Sequence, residues 1–347
     1  MASRSDTKRR RLYTLAVGLL AVLGLIAFLW MSALTAEFSN KLYDYLIVEK
    51  LGSLTGFSDD TNPQSQADQG LEVWRPNKAI RQLRKYNRYL NHNAQPMTAD
   101  PNNTSSIRKW WQAAAMITWY LKSPRKYKCR HLRWYGNWGV CQDEEYSVKP
   151  PCLVYSFGIA FDFSFDDAMG RLGCDVRSFD PSMGRPGYKR SRNVRFYALG
   201  IGSTNTNSYR PKRNRYVRTP QIWKVRTLAA IRRQLGHSER VLDVLKLDIE
   251  AWEWSVLDNI METNLHKYVR HLLVEYHLFN SGILPRSDYV LAFQTHTRLK
   301  RLGFHEYLSE PHDERLLPNS YNQQAEVFYV NSRFNLSDIL LSDLDSP

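Results

Sequence analysis

From residue 152 onward, short apolar runs alternate with segments whose apolar positions recur every three or four residues. Unbroken or period-two apolar runs mark strands, and a period of 3.6 marks helices. Residues 152–157 (CLVYSF) therefore read as a first strand ending at Gly158, 165–172 as a helix stopped by Gly173, and 176–179 as a second strand ending at Asp180. A third strand covers 194–199 and ends at Gly200. Ile222, Val225, Leu228 and Ile231 fall at helical spacing, which predicts one helix over 221–235, closed by Gly236. Next come a fourth strand at 241–247, a helix at 252–261, a fifth strand at 271–276 and a helix at 289–302. Residues 304–308 and 326–330 can close the sheet as a strand pair. This alternation predicts an α/β fold: a doubly wound, mostly parallel sheet with helices on both faces. Such sheets bind ligands at the carboxyl ends of the strands, where the strand order reverses.

A different pattern opens the chain. Lys8, Arg9, Arg10 and Arg11 precede an uncharged stretch over 12–36, whose core (LYTLAVGLLAVLGLIAFLWM) is, at ~20 residues, long enough to cross a bilayer as a helix. The basic cluster favours a cytoplasmic N-terminus. The expected order is a cytoplasmic tail (1–11), a transmembrane signal anchor (12–36), a polar stem (37–73), an N-terminal helical and disulfide-bearing extension (74–150) and the sheet domain (151–347). That is a single-pass type II membrane protein of the secretory pathway, Golgi-type. The alternative is a secreted chain whose signal is cleaved after Ala36. In either compartment Asn102, Asn103 and Asn335 sit in usable glycosylation sequons. Cys129, Cys141, Cys152 and Cys174 become candidates for two disulfides with three connectivities. Cys129 and Cys141 flank a short aromatic segment, while Cys152 and Cys174 begin neighbouring strands, so the expected pairs are Cys129–Cys141 and Cys152–Cys174.

Charge is unevenly placed. The 347 residues carry 48 Lys and Arg against 34 Asp and Glu, a net of +14. Residues 185–240 hold fifteen Lys and Arg and one acid, Glu239, so this window alone accounts for the whole excess. With 43% hydrophobic and 13% aromatic residues the chain can build a sizeable core, which excludes a disordered or collagen-like protein. No CxxC pair suggests a zinc site. Within the basic window, 203–219 (STNTNSYRPKRNRYVRT) reads as an insertion on the acceptor side of the cleft. It is either a solvated loop or a recognition element for an anionic acceptor such as a sulfated or acidic glycan. A lumenal placement weighs against nucleic acid as the partner.

The residues able to do chemistry cluster at the strand ends. Gly158 allows close approach of a ligand to the backbone, and Phe157 and Ile159 flank it. Asp180 follows 22 positions later, near the ~20-residue offset at which an acid takes ribose hydroxyls in nucleotide-binding folds. The first loop lacks the glycines of a dinucleotide turn. It therefore suits a cofactor with ribose and adenine but no phosphates, namely S-adenosylmethionine. The fourth strand runs into Asp248, Glu250 and Glu253, and the fifth into Glu275 and His277. Asp248 and Glu250 share a strand parity, so both can face the pocket if the extended backbone persists.

The segment VLKLDIEAWEWSVL resembles the KLD-I-E-x-x-E-x-x-V-L segment of FkbM-type methyltransferases, and PCLVYSFGIAFDFSFDDAM, LGCDVRSFDPSM, LLVEYHLF and GNWGVC resemble the same group. The resemblance implies a seven-stranded class I methyltransferase sheet and S-adenosylmethionine as methyl donor. It departs from the family at Ala251, where a glycine is usual, and at Thr227-Leu228-Ala229, where an acid is usual. The cofactor-binding candidates are Phe157, Gly158, Ile159, Asp180, Gly200 and Asp248. The catalytic candidates are Asp248, Glu250, Glu275 and His277, with Asp248 positioning cofactor and acceptor and His277, at an ordinary value near ~6.5, as general base. The same cluster is able to hold a divalent metal that acidifies the acceptor hydroxyl; the metal-free reading is preferred. Three function classes follow: a glycan O-methyltransferase, a lumenal protein or small-molecule methyltransferase, and a non-catalytic binding protein on a degenerate scaffold.

Overall fold

A computed structural model of the chain describes residues 81, 83, 84, 103–123, 127–214, 216–278, 284–312, 315–317 and 320–334. The expected tail, transmembrane span and stem, together with Asn102 and Asn335, lie outside the described residues. Among the described residues no helix is long and apolar enough to cross a membrane. Asn103 is described, and it is exposed.

The described residues belong to one compact unit, Trp74–Pro347. Helix α1 (Trp110–Lys122) and a hairpin of β1 (Leu132–Tyr135) and β2 (Trp138–Cys141) come first. Then follow β3 (Leu153–Phe157), α2 (Ser164–Leu172), β4 (Asp175–Phe179), β5 (Tyr188–Lys189) and β6 (Val194–Tyr197). A small sheet is built from β7 (Gly200–Ile201), β8 (Thr206–Tyr209) and β9 (Trp223–Arg226). After it come α3 (Leu228–Gln234), β10 (Leu242–Leu247), α4 (Glu253–Glu262), β11 (Val269–Leu278) and α5 (Arg286–Arg301). The chain returns through β12 (Phe304–Pro311), β13 (Arg315–Leu317) and β14 (Ser320–Asn331).

The main sheet has the order β12-β14-β11-β10-β3-β4-β6-β5, with β13 paired to β14. The core strands β11, β10, β3, β4 and β6 run parallel, while β14 inserts antiparallel between β11 and β12. This is the expected doubly wound, mostly parallel arrangement. The short strands β5 and β13 bring the sheet to nine strands rather than seven.

Period-two alternation assigns each strand residue to one of two apolar layers. Tyr155, Phe157, Leu245, Leu247, Leu272 and Val274 face a core shared with α1, α3, α4 and α5. Val154, Val176, Val244, Leu273, Phe328 and Val330 face a second core shared with α2 and the β1–β2 hairpin. Part of the expected 74–150 extension is thus structural wall: Ala113–Ile117 of α1 are buried in the same layer as the central strands. Both expected disulfides are formed, Cys129–Cys141 joining the ends of the hairpin and Cys152–Cys174 tying the start of β3 to the residue before β4.

One predicted element is overturned. The helix expected over 221–235 is strand β9 followed by the short helix α3. The periodicity misleads because Ile222 is exposed (58%), so its spacing to Val225 carries no helical face. The backbone of Trp223–Arg226 pairs instead with β7 and β8, a long-range demand that overrides local spacing. Helix α3 then starts at Leu228 and is capped by Thr227, whose hydroxyl accepts the Ala230 N–H at 3.2 Å.

Candidate functional site

Strand order reverses between β3 and β10, so the switch point lies between their carboxyl ends. Phe157 is in register with Phe179 and with Leu247, and Leu247 with Val274. The residues that follow, Gly158, Asp180, Asp248 and Glu275, therefore arrive at one level along that edge.

Gly158 has φ +79°, and a Cβ there would lie 1.7 Å from the Asp248 carbonyl oxygen. Only glycine lets β3 and β10 close at this point. The turn beyond it keeps positive φ at Ala160 (44°) and Phe161 (71°). Asp180 holds that turn in place: its Oδ2 accepts from the N–H groups of Ile159 at 3.0 Å and Ala160 at 2.8 Å, while Oδ1 accepts from Ser182 N–H at 2.7 Å. Lys246, buried below, donates to the Gly158 carbonyl at 2.9 Å and packs over the Trp138 ring at 4.5 Å.

At the next strand ends a histidine is ringed by acids. His277 Nδ1 and Glu253 Oε1 are 2.8 Å apart, with both side chains sealed from solvent. The same Glu253 oxygen accepts the Ile249 N–H at 2.8 Å. With Nδ1 facing Glu253, Nε2 lies 3.6 Å from Glu275 Oε1 and 3.9 Å from Asp248 Oδ1. Ligating atoms of Asp248, Glu250 and His277 all fall within 4.8 Å of one another. Burial pulls the His277 pKa down, but Glu253 in the first place, with Glu275 and Asp248, overturns that and raises it well above the ordinary value. Burial pushes Asp248 up to about 6 against the opposing pull of Lys246. Around one histidine and one lysine the cluster gathers four acids, Asp248, Glu250, Glu253 and Glu275, so acidic groups outnumber basic ones.

Part of this cluster lines a cleft of about 800 Å³. Phe157, Gly158, Asp180 and Gly200 form one part of its wall, and Asp248, Glu250 and His277 another. Residues of the 203–219 segment close the far side, with Tyr209, Lys212, Arg213 and Tyr216 among the lining. Tyr209 meets Trp252 edge-on at 4.7 Å.

A methyltransferase-domain family matches residues 69–331, well over half of the chain. The chain belongs to the methyltransferase-domain family. It is similar to "Probable methyltransferase-like protein 24" of Homo sapiens, 29% identical over 189 residues that cover 50% of each chain. The protein of the same name from Rattus norvegicus is 29% identical over 151 residues, 42% of this chain and 39% of the relative. The chain thus spans half or less of the length of the curated relatives it matches.

In this methyltransferase domain most of the expected site residues converge, and two do not line the cleft. Ile159 turns away: its side chain is buried with Phe163, Met183 and Phe196, so only its backbone N–H serves the loop. Glu275 stands behind His277 rather than on the cleft wall. The extended backbone expected through Glu250 ends early, because Glu250 (φ 56°) and Ala251 (φ 76°) both turn left-handed; Glu250 still reaches the cluster. The expectation of an ordinary His277 near 6.5 is corrected, since three carboxylates surround it. Glu253 and Lys246 were legible as residues but not as parts of the site. The acid looks like a helix-start residue and the lysine like one position of a strand, and only their burial exposes their work.

Proposed function

We propose that the chain is an S-adenosylmethionine-dependent methyltransferase acting on a hydroxyl acceptor, a glycan in the first place, within the secretory pathway. The observation that carries this reading is the acid–histidine cluster at the switch point, directly beside the Gly158 turn.

The residues present suit the donor. Gly158 lines the cleft, and its left-handed turn brings the end of β3 against the Asp248 backbone. Asp180, Phe157, Phe179 and Gly200 line the same part of the cleft, an acid beside two aromatic rings and a glycine. The excess of acids, Asp248, Glu250, Glu253 and Glu275, favours a cationic group. S-adenosylmethionine, when bound, supplies an electrophilic methyl carried on a sulfonium. Asp180 would hold the ribose side, and Asp248 would face both donor and acceptor.

The chain's own task is to orient the acceptor oxygen in line with the methyl and to remove its proton. The acids around His277 raise its pKa well above the ordinary value, which suits it to holding a proton beside the reacting groups rather than to taking the first one. Asp248, raised to about 6, is a stronger base than an ordinary carboxylate and takes the hydroxyl proton. The His277 imidazolium steadies the resulting charges, and Glu253 keeps its ring in orientation.

The two disulfides support an oxidising compartment. With the apolar stretch at 12–36 they favour a type II Golgi-type placement over a secreted form. Calorimetry with S-adenosylmethionine, followed by a labelled-methyl screen over glycans, proteins and small hydroxyl compounds, tests the function. Donor binding with Asp248→Asn lowering turnover by ~10²–10⁴ is the expected result. Absence of donor binding sinks the reading in favour of a binding protein. Modification of Asn103 and Asn335 in a microsomal translation tests the orientation.

A further inference from the structure

We propose that the 203–219 arm is an anion subsite that binds a sulfate or carboxylate group of an acidic glycan beside the methyl-transfer site. It rests on the methyltransferase reading and extends it to the class of acceptor.

The arm's sequence contains Arg210, Lys212, Arg213, Arg215 and Arg218 and no acid. Among the described residues, Arg210, Lys212, Arg213 and Arg218 have no acidic partner. Lys212 and Arg213 line the cleft. Like charges this close along the chain repel each other, and a multi-oxygen anion relieves that repulsion through charge-assisted hydrogen bonds.

The turn is built rather than loose. Arg226 ties β9 to the arm through the Thr206 carbonyl at 2.8 Å and Asn207 Oδ1 at 2.5 Å. Asn205 Oδ1 accepts the Thr227 N–H at 2.9 Å. Asn214 Oδ1 accepts from the N–H groups of Tyr216 at 2.9 Å and Val217 at 2.8 Å, and Val217 is buried. The cations are thus presented from a set backbone, which lowers the ordering cost of binding.

The surroundings suit a sugar. Tyr209, Tyr216, Trp223 and Trp252 line the same cleft and offer apolar faces for the C–H surfaces of pyranose rings. Both disulfides require oxidising surroundings, where the polyanions at hand are acidic and sulfated glycans rather than nucleic acid.

The test uses the full chain and three probes: a sulfated glycosaminoglycan octasaccharide, its desulfated and carboxyl-reduced counterpart, and a single-stranded oligonucleotide of matching charge. Binding is measured calorimetrically at ~0.15 M salt, where surface charges separated by more than ~8 Å are screened. Lys212→Ala/Arg213→Ala is compared with Lys149→Ala/Arg171→Ala, a pair at the opposite ends of the strands that removes the same charge. We expect the sulfated probe to bind at least tenfold tighter than the desulfated one. The arm variant should lose at least tenfold of that affinity with S-adenosylmethionine binding intact, and the control pair should lose less than twofold. Equal loss in the two variants would reduce the effect to net charge and overturn the subsite. Equal binding of the desulfated probe, or tighter binding of the oligonucleotide, would overturn it as well. If the wild-type chain fails to bind S-adenosylmethionine while the arm variant still loses the sulfated probe selectively, the methyltransferase reading fails and the subsite stands.

Discussion

Oε1 of Glu253 lies 2.8 Å from Nδ1 of His277, and this one contact decides how the centre of the site is charged. Glu253 opens α4, while His277 stands near the end of β11. Neither side chain meets solvent, so the pair interacts at low dielectric. The ring is thereby turned so that Nε2 faces Glu275 and Asp248. Trp254, one residue on, donates its indole N–H to the His277 carbonyl at 3.2 Å and stacks on Tyr276 at 4.2 Å, which holds strand and helix together around the contact.

Glu253→Gln removes the leading charge that keeps the His277 imidazolium. Its raised folded value means that the folded state binds a proton more tightly than the unfolded one. The resulting stability is full below ~6.5 and is lost as pH rises through the raised value. Asp248, raised to about 6, adds a loss of the same sign, beginning above 3.8. Burial pushes His237 and His271 down to about 4, which acts with the opposite sign, so urea unfolding is compared between wild type and Glu253→Gln: the wild-type advantage should shrink as pH rises through this range. In Glu253→Gln the His277 part of the pH dependence should be smaller, and the His277 ring resonances should titrate at lower pH. An unchanged ring titration would show that Glu253 does not set its charge.

Two substitutions in left-handed turns should have opposite signs. Gly158→Ala places a methyl against the Asp248 carbonyl in a left-handed conformation. It should cost at least about 3 kcal/mol and abolish donor binding. Ala251, at φ 76°, carries the corresponding penalty already. Ala251→Gly should relieve ~1–2 kcal/mol of it, less the extra entropy of a glycine in the unfolded chain. Thermal unfolding reads both, and a lower melting temperature for Ala251→Gly would contradict the geometry.

Asp180→Ala should loosen the loop as well as the donor. Its carboxylate accepts three backbone N–H groups, those of Ile159, Ala160 and Ser182. S-adenosylmethionine affinity should drop at least tenfold, since charge-assisted bonds contribute ~1.5–3 kcal/mol each. Amide exchange at Ile159 and Ala160 should speed up even without donor. Protected amides beside a weakened affinity would confine Asp180 to ligand contact.

Cys152→Ser/Cys174→Ser opens the bridge across the first strand–helix–strand unit, with a sequence separation of 22. The expected cost is about 3 kcal/mol. Non-reducing peptide mapping of the wild type should recover Cys129 with Cys141 and Cys152 with Cys174; any other pairing would place β3 and β4 wrongly.

The sequence by itself determined the sheet and its chemistry-bearing edge. Largely apolar runs such as CLVYSF, with Leu153–Phe157 buried at every position, are only satisfied between two neighbouring strands and two covering layers. The ends of those runs therefore revealed where Gly158, Asp180, Asp248 and Glu275 would meet. The same local logic paired the four cysteines. It failed at 221–235, because whether Trp223–Arg226 coils or extends depends on β7 and β8, which are distant strands. It also could not assign roles to Glu253, Lys246 or Ile159. Whether an acid caps a helix or grips a histidine depends on what lies above it, and a side chain's charge depends on burial and neighbours that only three dimensions supply. Tertiary structure alone turned Ile159 into the core and set around His277 the acids that raise its pKa.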